Sequence, residues 1–175
     1  WAEDSGELKS FDVLASGPVR TVVRTVKLLP GEQRVTRTYA FYANRFTVDA
    51  SATHRQTGLF SRVWYAVHAK YEDDGGHSRD IDGLGKDEGV GYADPHWYRV
   101  STDNWTHTCI ALSPMDGQSF WDEAPSLGQL GFSSPTAEHA RYCHVITGPQ
   151  SKADLSIDWY RELTTPIEAR VEVVE

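Results

Sequence analysis

Residues 19–42 read VRTVVRTVKLLPGEQRVTRTYAFY, and the fold class is decided there. Two runs rich in Val, Thr and Tyr flank Leu29-Pro30-Gly31-Glu32. Pro presets φ for a turn and Gly accepts positive φ, so strands Val19–Leu28 and Gln33–Tyr42 read as a hairpin. Outward from it, similar runs recur at Leu8–Ala15, Phe46–His54, Phe60–Tyr71, Trp97–Ser101, Thr106–Leu112, His139–Thr147 and Ile167–Val174. Each is bounded by Gly, Pro, Asn or Asp, the residues that punctuate strands. Helical spacing is confined to Ala153–Leu163, where Asp154 caps a turn carrying Leu155, Trp159 and Leu163. The reading predicts an all-β chain: an antiparallel two-sheet β-sandwich, jelly-roll or supersandwich-like, with long loops.

Alternation splits each strand into two faces. In Phe60–Tyr71 it turns Val63, Tyr65, Val67, Ala69 and Tyr71 inward and leaves Arg62, Trp64, His68 and Lys70 on the other side. In Val19–Leu28 it groups Arg20, Val22, Arg24 and Val26 against Val19, Thr21, Val23 and Thr25. Neither of those faces is purely apolar, as expected for a strand covered on both sides or one with a face lining a groove. Ile167, Ala169, Val171 and Val173 read as the core side of a closing strand.

The 175 residues are one domain's worth, with enough aromatic side chains to order it without disulfides or metals. Trp1 is no natural start, so the chain is expected to follow processing or excision from a larger multidomain protein. The net charge of −8, without a block of Lys or Arg, sets nucleic acid aside as a partner. No apolar run is long enough for a membrane-spanning helix. Cys109 and Cys143 sit in apolar runs. They read either as two small buried hydrophobes or as one bridge between neighbouring strands.

Two stretches break the strand pattern. Glu72–Pro95 is rich in Gly, Asp and single His and Arg residues, and Ser113–Ser134 carries Phe120, Trp121, Asp122 and Glu123. Long patternless connections are commonly functional. Asp80, Asp82 and Asp87 offer hard oxygens around a Gly turn, which suits calcium, although the spacing fails the twelve-residue calcium loop. The cofactor expectation is therefore none, or calcium. No Gly-x-Ser-x-Gly, phosphate-cradling loop or close His pair is present in the sequence.

The remaining inventory suits an acidic sugar: flat aromatics for C–H faces, and Arg for carboxylates. Arg62, Trp64, His68 and Trp97 are the candidate substrate-binding residues. β-Elimination from a uronate needs a neutralised carboxylate, a base for the α proton and an acid for the leaving oxygen. His77, Arg79, Tyr92, His96 and Tyr98 supply those types in one stretch, with Arg79 at the carboxylate and a His or Tyr as base.

A family resemblance follows from Ser16-Gly17-Pro18-Val19-Arg20-Thr21-Val22-Val23-Arg24 and from Thr38-Tyr39-Ala40-Phe41-Tyr42-Ala43-Asn44-Arg45-Phe46-Thr47-Val48-Asp49. These segments resemble the start of galactose-mutarotase-like β-sandwich domains in exo-rhamnogalacturonan-lyase-like polysaccharide-degrading proteins. Gly148-Pro149 to Trp159-Tyr160, with Thr165-Pro166, looks like the tail of such a domain. The resemblance implies a secreted or periplasmic carbohydrate-active protein, whose full-length members carry further domains. The leading expectation is a polysaccharide lyase domain acting on a uronate-containing glycan. The alternatives are a non-catalytic carbohydrate-binding module and a structural or assembly subunit.

Overall fold

The structure is a computed structural model, and it describes residues 6–53, 59–66, 68–81, 90–92, 94–115, 117–123, 127–134, 138–149 and 154–165. Among them the strands are β1 (Glu7–Ser16), β2 (Thr21–Leu29), β3 (Gln33–Phe41), β4 (Arg45–Ala52), β5 (Leu59–Ala66), β6 (Ala69–Asp73) and β7 (Ser78–Ile81). They continue as β8 (Val90–Tyr92), β9 (Trp97–Ser101), β10 (Thr106–Ala111), β11 (Gly117–Glu123), β12 (Leu127–Ser134) and β13 (His139–Thr147), followed by helix α1 (Asp154–Thr164). Of β5, β8, β12 and residues 118–123 the backbone alone is described.

Nine strands form one antiparallel sheet in the order β1-β2-β3-β4-β13-β10-β9-β6-β7, and four form a second in the order β5-β12-β11-β8. The hairpin of residues 19–42 forms as expected, paired from Thr21 opposite Phe41 to Leu29 opposite Gln33. Gly31 at its turn has φ of 77°. The next strand also pairs locally, but β4 then meets β13 from far along the chain. A mostly-β antiparallel protein is what the sequence led one to expect.

Directly opposed residues share a face, so the register defines two sides of the large sheet. One, the core face, carries Val48, Tyr71, Tyr98, Val100, Cys109 and Tyr142, all buried. The other, the helix face, carries Trp97, Ile110, Cys143 and Val145, against which α1 packs Ile157, Trp159, Tyr160 and Leu163. Burying such side chains contributes about 2 kcal/mol each. The Ser156 and Thr108 hydroxyls, 3.3 Å apart, fix where the helix sits. Near the sheet edge Arg99, almost fully buried on this side, pairs with Glu72.

Three expectations change, and the choice between two readings of the cysteines is resolved as two buried small hydrophobes. Phe60–Tyr71 is two strands in two sheets, because the chain turns at His68, which has φ of 70°. The stretch Glu72–Pro95 contains β7 and β8, which escaped notice because one is polar and the other is three residues long with a central Gly. Ser113–Ser134 contains β11 and β12, the latter masked in the sequence by Gly128 and Gly131. Cys109 lies opposite His144 while Cys143 lies opposite Ile110, so the two thiols project from opposite faces. Both are free, and the bridge is ruled out by direction. The proposed strand Ile167–Val174, like Val67, falls outside the described residues.

Candidate functional site

The chemistry-bearing side chains gather on the core face. The tight β3–β4 connection, closed by the Tyr42 amide donating to the Arg45 carbonyl at 2.8 Å, sets Phe41 opposite Phe46. From there a row of rings crosses the sheet. Tyr39 stacks on Phe41 at 6.0 Å between centroids, Phe41 meets Phe46 at 5.6 Å, and Phe46 stacks on His144 at 4.5 Å. His144 lies parallel to His107, with Nδ1 of the first 2.8 Å from Nε2 of the second. The row opens to solvent at Phe41, which is 42% exposed, and closes at the two buried imidazoles. Burial pushes His107 down to about 4 and His144 down to about 3, the latter helped by its neighbour. Both rings are thus neutral near pH 7, and one N–H lies between them.

Following the register, Phe46, His144, Cys109, Tyr98 and Asp73 are successive cross-strand neighbours. Asp73, at the end of β6, has a fully buried carboxylate that accepts from the Tyr71 hydroxyl, from the His77 amide at 3.0 Å and from His77 Nδ1 at 3.0 Å. Gly75 leaves room for this, since a Cβ there would stand 3.0 Å from His77 Nδ1. The carboxylate fixes the imidazole with Nδ1 inward and Nε2 turned away, the arrangement that prepares a neutral His to take a proton. The next residue, Asp74, does the same for His96, accepting from Nδ1 at 2.7 Å and from its amide at 3.0 Å. Asp74 and His96 stand just outside β6 and β9, and the His96 ring lies edge-on against Tyr160 of α1.

No family model matches the chain, and no curated protein matches it. Solved structures do. A provisionally named aldose 1-epimerase from Escherichia coli matches with a TM-score of 0.54 at 9% identity, over 79% of this chain and 69% of that one. The fold is aldose 1-epimerase-like. A Synechocystis protein also matches, with a TM-score of 0.42 at 10% identity, over 78% of this chain and 65% of that one. At 9% identity the likeness to the Escherichia coli structure is one of fold. It agrees with the galactose-mutarotase-like part of the resemblance read from residues 16–49.

On this aldose 1-epimerase-like frame the expected site residues separate. His77, Arg79 and Tyr98 share the core face: Arg79 is exposed on β7 opposite Tyr71, and Tyr98 is buried opposite Asp73. Trp97 is core beneath α1, and His96 sits at that side too. Asp80 is opposite Lys70 on the helix face. Tyr92, Arg62 and Trp64 lie in the four-stranded sheet, opposite Gln118, Gly131 and Gln129. His68 is an exposed turn residue whose amide donates to the Ile81 carbonyl. Asp82 and Asp87 fall outside the described residues, and among the described ones no three His, Cys, Asp or Glu side chains group as metal ligands. Sequence reading missed Asp73, His107 and His144. The alternation of His107 with Cys109 and Ala111 signalled a buried histidine, but not that His144 would meet it.

Proposed function

We propose that this chain is a carbohydrate-active β domain acting on an acidic, uronate-bearing glycan by β-elimination. The observation that carries the reading is the held imidazole: His77 kept by the buried Asp73, with exposed Arg79 two positions along the chain and on the same face. Arg79 would neutralise the uronate carboxylate and acidify the adjacent C–H. His77 Nε2 would take that proton; the C–H electron pair would form the double bond as the glycosidic C–O bond breaks, and the imidazolium would return the proton to the leaving oxygen. The aldose 1-epimerase-like fold supports a carbohydrate-related role, as does the earlier sequence resemblance. Extracellular or periplasmic placement belongs to the same proposal.

A second reading, a binding module without chemistry, is favoured by the solvent-open ring row at Phe41 and Phe46. One experiment separates the two. The protein is incubated with pectic, alginate and ulvan polymers while ultraviolet absorbance of unsaturated uronate is followed, and retardation is measured in gels containing the same polymers. Absorbance lost in His77→Ala and Arg79→Ala supports elimination. Retardation without absorbance supports the binding module. Neither signal on any polymer refutes the carbohydrate reading.

A further inference from the structure

We propose that Arg45, laid between Tyr42 and Trp159 on the helix face, binds the carboxylate of an acidic sugar, at a site separated by the sheet from His77 and His144. Its guanidinium carbon is 5.0 Å from the Tyr42 ring centroid and 5.9 Å from that of Trp159. The three side chains are half-buried and come from three places: the residue just after β3, the first residue of β4, and α1. The arrangement exists only because the helix docks on this face.

Arg45 is half-buried, whereas Arg20, Arg34 and Arg79, which also lack a carboxylate partner among the described residues, are exposed. Arg24 pairs with Asp12, Arg99 with Glu72, Arg141 with Asp49 and Arg161 with Asp158. Among the described residues Arg45 has no carboxylate partner. A half-buried cation loses hydration, and two ring faces return only part of that. The guanidinium is planar, and stacking uses its faces while its N–H edges keep the fork geometry that grips a carboxylate with two bonds. Asp158, the acid nearest in sequence to Trp159, turns toward Arg161.

The surroundings point to a sugar as the bearer of that carboxylate. Tyr42 and Trp159 give apolar surface for C–H faces, and along β4 the same face continues through Thr47, Asp49 and Ser51, with Thr38 beside Asp49 on β3. Hydroxyls and paired ions at this spacing suit a polyol and give little to an apolar ligand. That the ligand is a sugar rests on the carbohydrate reading above; that the site takes an anion does not.

Calorimetric titration of the whole chain with oligogalacturonate, neutral galactose oligomers and sodium acetate tests this. Oligogalacturonate is expected to bind, more weakly as salt rises, and Arg45→Gln is expected to weaken it about tenfold or more. Arg45→Lys, which keeps the cation and loses the fork, is expected to recover only a minor part. His77→Ala should leave this binding in place, and circular dichroism confirms that each variant is folded. Unchanged oligogalacturonate binding by folded Arg45→Gln overturns the proposal. Equal competition by acetate at the same concentration overturns the sugar assignment. If His77→Ala or Phe41→Ala abolishes binding while Arg45→Gln does not, this site falls and the carbohydrate reading stands. If no uronate binds the wild type, both fall.

Discussion

Acid should weaken this protein through His107 and His144 well before its carboxylates are protonated. In the folded chain the two rings are held neutral, with values pushed to about 4 and about 3 from an ordinary 6.5. In the unfolded chain both titrate at the ordinary value. Between these limits the unfolded state binds two protons that the folded state refuses, so stability falls as pH falls, by about 1.4 kcal/mol per pH unit for each ring. It is fully present above 6.5 and declines through the acid range toward the folded values. From about pH 8 to about pH 5 each ring costs about 2 kcal/mol and the pair about 4, a large share of a typical domain stability of roughly 5–15 kcal/mol. Urea unfolding across that range measures the drop. His144→Phe keeps a flat ring against Phe46 but removes one titrating group, so its drop should be about half the wild-type value. A wild-type drop below about 1 kcal/mol, or an equal drop in the variant, refutes the argument.

Three further outcomes follow from the geometry. Glu72→Gln removes the charge that Arg99, almost fully buried, pairs with here, and thermal unfolding should show a loss of about 3 kcal/mol. Gly75→Ala crowds the His77 ring at Nδ1 and Cε1; since that ring can swing, stability should change by less than about 1 kcal/mol while the His77–Asp73 contact is lost. Imidazole nitrogen shifts in NMR read that contact, and unchanged shifts would count against it. Because Cys109 and Cys143 face opposite ways, reductant should leave the unfolding midpoint unmoved, and alkylation of the denatured, unreduced chain should modify both thiols.

The sequence carried some of the site and concealed the rest. His77 and Arg79 were legible because a stretch with their chemistry, in the midst of Gly and Asp, has no packing pattern to explain it. Asp73 was not, since an acid in an acidic run looks solvated until the register places it opposite Tyr98 and under His77. His96 and Trp97 shared the right composition with His77, but Trp97 points to the helix side of β9, and His96, just before that strand, is held by Asp74 against Tyr160. The single strand predicted over residues 60–71 failed for a different reason: alternating hydrophobics run through Val67, and only the positive φ at His68 breaks the line.

What the sequence determined by itself is local: the period-two pattern, the Pro-Gly turn at residues 29–32, the short helical stretch and, with them, the antiparallel β class. These depend on neighbours within a few residues, and their physical terms, φ preference and side-chain periodicity, are written in the chain. The tertiary structure decided which strands meet. By setting β4 beside β13 and β13 beside β10 it brought Phe46, His144 and His107 into one row from positions dozens of residues apart. By laying α1 on the other face it put Trp159 over Arg45. Such pairings come from burial and register summed over the whole sheet, so no stretch of sequence holds them alone.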